Sequence, residues 1–107
     1  MDGQARIQAF SLAAHRLAVT RLRERPERLT EALAVIQRWR QQAGGPSHCD
    51  AYWNEWDQML HDGVDAVERV ACAATDHATT LRSVSPLGRF ISVAERNQLL
   101  REARQTA

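Results

Sequence analysis

Apolar residues recur along this chain every three or four positions, and no stretch alternates convincingly with a period of two. Ile7, Phe10, Ala14 and Leu17, extended by Ala18 and Leu22, fall on one face of a helix covering residues 3–24. Pro26 ends that helix and suits the first turn of the next, where its missing N–H is not needed. Leu29, Leu33 and Ile36 make the second stripe, Trp39 lies near it, and Gly44-Gly45-Pro46 stops it. Ser47, with Asp50 three residues later, resembles a capping pair, so a third helix opens near one of them. At about 100° per residue, Tyr52, Trp53, Trp56, Met59 and Leu60 share one arc of about 120°, while Asn54, Gln58, His61 and Asp62 project elsewhere.

Gly63 interrupts this pattern. Beyond it Val64, Val67, Val70, Ala71, Ala74, Ala78 and Leu81 form one stripe, which predicts a fourth helix with Asp65, Arg69, Cys72 and Asp76 off the main core face. Pro86 and Gly88 mark residues 83–88 as a connector between Arg82 and Arg89. Ser92-Val93-Ala94-Glu95 then matches the S-x-x-E capping box, and Leu99, Leu100 and Ala103 give the last helix an apolar side. The expectation is an all-α fold, a compact bundle of four or five helices forming a single domain over residues 1–107. It has four members if Asp62-Gly63 is absorbed into one long helix.

Charge changes this picture by dividing the chain. A net charge of +1 conceals eight Arg against four acids over residues 1–43, one against seven over 44–80, and five against two over 81–107. Either the acidic middle docks onto the basic ends, or two charged surfaces are offered to partners. Every cation is Arg, a planar donor suited to carboxylate or phosphate. No stretch reaches the roughly 18 apolar residues of a membrane span, and the opening MDGQARIQAF lacks a signal-peptide core. A cytoplasmic protein without membrane association is expected, with Cys49 and Cys72 as free thiols.

Candidate chemistry is sparse. His48, Cys49, His61, Cys72 and His77 lack the paired C-x-x-C or H-x-x-x-H spacing of a zinc site, so neither metal nor cofactor is expected. Neither His48-Cys49 nor Cys72 with His77 carries an orienting third group, which argues against an enzyme. Residues 70–84 can be laid against a helix-turn-helix with Thr79, Thr80 and Arg82 as readers. The turn glycine is missing there and Asp76 takes an apolar position, so one continuous helix is favoured. Arg21, Arg23, Arg25 and Arg28 could contact phosphates or an acidic groove, although Glu24 and Glu27 are interleaved and a solvated helix end is the favoured reading of the run. Trp53, at the edge of the aromatic arc near Asp57, has the setting of a binding anchor. With Asp57, Arg82 and Arg89 it makes up the candidate partner-binding set.

The order Arg25-Pro26-Glu27-Arg28, Trp39, Tyr52 to Trp56, Leu81-Arg82, Ser85-Pro86 and Glu95-Arg96 resembles small bacterial helical proteins of mobile-element loci, including toxin–antitoxin loci. That resemblance implies a non-enzymatic protein that binds and restrains or organises another protein. The leading expectation is therefore a helical interaction module with a protein partner. The alternative is a small helical subunit of a nucleoprotein complex, with Arg21, Arg23, Arg25, Arg82 and Arg89 tracking a nucleic-acid backbone. Homo-oligomerisation, acidic surface to basic end, is a third.

Overall fold

A computed structural model describes residues 3–106. The first stripe becomes α1 (Gly3–Glu24), whose 22 residues extend about 33 Å at the usual helical rise, most of the molecule's 40 Å long axis. A 3-10 turn (Pro26–Arg28) leads into α2 (Leu29–Ala43), followed by α3 (Asp50–Asp62), α4 (Val64–Ala71) and α5 (Asp76–Ser83). A second 3-10 turn (Gly88–Phe90) precedes α6 (Val93–Thr106), and the described residues contain no strand. None of these helices is long and apolar enough to cross a membrane.

Helix α1 is the common partner: α4, α5, α6 and both 3-10 turns pack on it, while α2 packs on α3 and α3 on α4. The stripes meet in one core of Ala18, Val19 and Leu22 from α1, Ile36 from α2, Trp56, Met59 and Leu60 from α3, Val67 from α4, and Leu81 from α5. Leu87 and Phe90 of the connector close its end. Trp56 is wholly buried, and its indole Nε1–H donates to the Leu81 carbonyl at 2.9 Å. An apolar side chain is thereby given a directional link across the core, which fixes the end of α5 over α3.

Local chemistry sets most boundaries where the stripes place them. Gly44 ends α2 with φ 69°, and its N–H reaches the Arg40 carbonyl. Gly63 separates α3 from α4 at φ 114° and ψ 177°, a conformation essentially reserved for glycine. At α6 the capping box is complete: Glu95 N–H donates to Ser92 Oγ at 3.1 Å, and Ser92 N–H to Glu95 Oε1 at 2.9 Å. The Ser47–Asp50 pair is related but incomplete, since Asp50 accepts from Ser47 N–H while Ser47 Oγ takes the Cys49 N–H.

The bundle has six α-helices among the described residues rather than four or five, because the fourth stripe breaks over residues 72–75. Thr75 adopts an extended conformation and accepts the Ala78 N–H on its Oγ1 at 3.0 Å, while Asp76 sits at the positive end of the new helix. Carbonyls freed at the end of α4 find a side-chain donor: Arg82 Nη1 bonds Ala71 O at 2.8 Å and Ala73 O at 3.0 Å. A threonine cap and a buried guanidinium thus break the helix without glycine or proline. Ala74, expected in the stripe, is exposed, and Cys72, expected off the core, is half-buried against it. Ile7, expected in the α1 stripe, is 61% exposed, since residues 3–9 are all exposed and lie outside the packed part of the helix.

Candidate interaction surface

The arginine run ends α1 and opens the turn to α2, and folding gives each of its members a carboxylate. Arg21 pairs with Glu95 of α6. Arg23 bridges Asp65 at 2.7 Å and Glu68 at 3.1 Å, both on α4. Arg25 bonds Glu27, and Arg28 bonds Glu31 at 2.7 Å while its guanidinium lies 4.8 Å from the centre of the Phe90 ring. Both the Ser92 N–H and Arg21 hold the Glu95 carboxyl below the usual carboxylate range, the Ser92 bond being the larger cause. Hydrogen bonding from Arg28 does the same to Glu31. The candidate phosphate-binding set is therefore engaged within the fold, in partly exposed pairs that each stabilise it only weakly.

The residues considered for a partner meet different fates. Trp53 is only 8% exposed, because α2 covers it: the Trp39 ring lies 6.4 Å away, tilted by 34°. Its indole contributes to the α2–α3 interface rather than standing as an exposed anchor, and only an edge lines a shallow groove of about 300 Å3 with Trp39, Cys49 and Val84. Asp57 is half-buried, with its carboxylate 3.6 Å from His61. Arg82 is 7% exposed and held on the carbonyls of the α4 end, with Nη2 bonding Thr79 Oγ1. Little of it is left at the surface to meet a partner or a nucleic-acid base. Arg89 is exposed but lies 3.4 Å from Glu31. Helix, turn and helix do follow one another in α4 and α5, yet Thr79 and Thr80 turn their hydroxyls to the carbonyls of Thr75 and Asp76.

Charge segregation is resolved only in part by pairing within the fold. Arg23 carries the basic N-terminal block onto the acidic α4, and Arg21–Glu95 and Arg89–Glu31 tie the remaining basic segments to acids. Helix α3, by contrast, holds Asp50, Glu55, Asp57 and Asp62 and no arginine. Among the described residues no arginine pairs with any of the four, and the ion-pair partners present are histidines: His77 Nε2 on Glu55 at 2.7 Å and His61 on Asp57. Arg40 reaches this helix but bonds the neutral Asn54.

Between α3 and α4 runs an open groove of about 190 Å3 whose walls include Glu55, Gln58, Asp62, Arg69 and Val70. Tyr52, one turn before Glu55 on α3, is a half-buried aromatic with its ring 6.4 Å from His77. The spacing places Asp62 away from the core and Tyr52 in the aromatic arc, whereas Glu55 carries no separate signal. Tyr52, Glu55 and Asp62 stand at i, i+3 and i+10 of one helix, a spacing that puts them on neighbouring rows of its surface.

Cysteine and histidine do not gather into a reactive centre. No group of three or more His, Cys, Asp or Glu side chains is placed to hold a metal ion among the described residues. Burial, with the nearby Glu68 charge, pushes the Cys72 thiol up, which lowers its thiolate fraction. No family model, curated protein or solved structure matches this chain.

Proposed function

We propose that the protein is a non-enzymatic helical interaction module that binds a protein partner through the outer face of α3. The observation that carries this reading is the set of four α3 carboxylates left without an arginine while the arginine run is paired inside the fold. The complementary partner is a protein segment rich in Arg or Lys. Electrostatics would set its encounter rate and orientation, and Tyr52, in place of Trp53, would supply the aromatic contact. Control of a protein encoded in the same mobile-element locus is the biological setting that fits such a module. Phosphate tracking by Arg21, Arg23, Arg25 and Arg28 is less favoured, because it would compete with their carboxylates and a polyanion would meet the acidic α3 nearby.

The test is a double charge reversal, Glu55→Arg with Asp62→Arg, used as bait beside the wild-type chain. Asp62 is exposed and Glu55 half-buried with its carboxylate turned to His77, and neither belongs to the core, so the helical circular dichroism should be unchanged. Loss of a stoichiometric protein partner supports the reading. Retention of the partner by the reversed bait would defeat it.

A further inference from the structure

Helix α6 carries arginines that folding leaves without acids. Arg96, Arg101 and Arg104 are exposed, and none of them pairs with a carboxylate among the described residues. The Arg96 guanidinium rests 5.2 Å from the centre of the Phe10 ring, and Arg101 bonds the neutral Gln98 at 2.6 Å. At 100° per residue, Val93, Asn97, Arg101 and Arg104 fall within about 80° of one another, with Arg96 at the edge of this flank about 60° from Val93. Val93, at 75% exposure, is the most exposed large hydrophobic residue among those described. The two acids of the helix lie elsewhere: Glu95 takes Arg21, and Glu102, about 100° round from Arg101, accepts from Gln98.

The complement of this flank is on the same chain. Glu55 and Asp62 stand seven residues apart on α3, about 10.5 Å along the axis, and Arg96 and Arg104 stand eight apart on α6, about 12 Å, so the two rows match in length. Inside one copy they do not meet, because α6 packs chiefly on α1 whereas α3 packs on α2 and α4. Where folding does bring arginine and acid together, as in Arg21–Glu95 and Arg23–Asp65, they pair. What remains is an acidic surplus on α3 and a basic one on α6, which two copies can neutralise. The net charge of +1 sets little overall repulsion against that approach. Arg69, exposed on the α4 wall of the acidic groove, repels a basic helix and so confines it to the α3 side.

We infer that the protein associates with itself, the α6 flank of one copy docking on the α3 face of another. The inference rests on the reading of α3 as a binding face and names the arginine-rich segment that it takes as α6 of a second copy. Because the contact joins two different surfaces of the chain, every assembly keeps one free α3 and one free α6. Copies therefore add in line unless the rotation between them closes a ring.

The test is sedimentation of the full chain from micromolar to millimolar concentration, beside two blocked chains whose circular dichroism matches the wild type. One carries Glu55→Gln with Asp62→Asn on α3, the other Arg101→Gln with Arg104→Gln on α6. The weight-average mass of the wild type should rise about twofold or more at about 50 mM salt and return to that of the monomer at about 500 mM. Each blocked chain should stay monomeric alone. Mixed in equal amounts, the two should form a one-to-one dimer that grows no further, since only one intact α3 and one intact α6 remain to meet. The inference is overturned by a wild-type chain that stays monomeric at millimolar concentration and low salt, by association indifferent to salt, by association that either blocked chain keeps, or by blocked chains that ignore each other. A monomeric wild type, with a different protein still lost from the Glu55→Arg, Asp62→Arg bait, excludes the second copy and leaves the α3 face standing as an interface.

Discussion

Replacing Trp56 by Phe removes one hydrogen bond and part of one ring system from the centre of the fold, and the structure allows both losses to be sized. Trp56 is wholly buried, and its Nε1–H is bonded to the Leu81 carbonyl. That carbonyl also accepts the Val84 N–H at 3.2 Å, so it is not orphaned by the substitution. The hydrogen-bond loss accordingly falls in the ordinary range of about 0.5–1.5 kcal/mol rather than at the higher cost of an unsatisfied group. The smaller ring leaves on the order of 40 Å3 unfilled, about 1 kcal/mol more if the neighbours do not relax. Together these give a destabilisation of about 2 kcal/mol, or a fall in Tm of roughly 8–16 °C for a domain of this size. Urea denaturation followed by circular dichroism measures it directly. A loss below about 0.5 kcal/mol with an unchanged m-value would refute the assignment of Trp56 as the link between α3 and the end of α5.

Substitutions at three further positions probe the local devices. Thr75→Ala should cost about 1 kcal/mol by removing the cap on Ala78 N–H, whereas Thr75→Ser should retain most of it; equal losses in urea melts would speak against the cap. Gly63→Ala should cost about 1–3 kcal/mol, since φ 114° with ψ 177° strains any side chain although open space surrounds the position. His15 titrates below an ordinary histidine because it is buried and faces Arg82, with Arg96 the other charged group on the cavity between α1, α5 and α6. The unfolded chain then binds a proton that the native state refuses, so stability should fall as pH drops below about 6.5, with a slope of up to about 1.4 kcal/mol per pH unit. His15→Leu should remove that part of the slope in paired urea titrations, and an unaltered slope would contradict it.

Elements were legible where one residue type has one strong local meaning. Pro26, Gly44, Gly63 and the Ser92–Glu95 box each mark a boundary that the structure keeps. The break after Ala71 was not legible, because the apolar stripe runs on through Leu81 and the Thr75-Asp76 cap lies inside it. It depends on Arg82 reaching back to Ala71 and Ala73, a contact that helical periodicity does not encode. The fate of Trp53 had the same character: its place at the edge of an arc said nothing of α2 covering that edge. Pairing of Arg23 with α4 and of Arg21 with α6 joins residues 42 and 74 positions apart, and it decides which charges remain free for a partner. His15 was readable in part, since an ionisable ring beside Ala14 and Ala18 sits on the buried side of α1.

The most direct test of the proposed α3 interface is a nuclease-treated affinity purification from the source cells with three baits. These are the wild-type chain, Glu55→Arg with Asp62→Arg, and a chain with Arg21, Arg23, Arg25 and Arg28 all changed to Gln. Mass spectrometry identifies what each retains, and absorbance at 260 and 280 nm reports co-purifying nucleic acid. An acidic α3 interface predicts a stoichiometric protein that survives nuclease, stays with the glutamine bait and is lost from the charge-reversed one. A complex released by nuclease, or lost with the glutamine bait and kept by the reversed one, would contradict it and make the arginine run the functional surface.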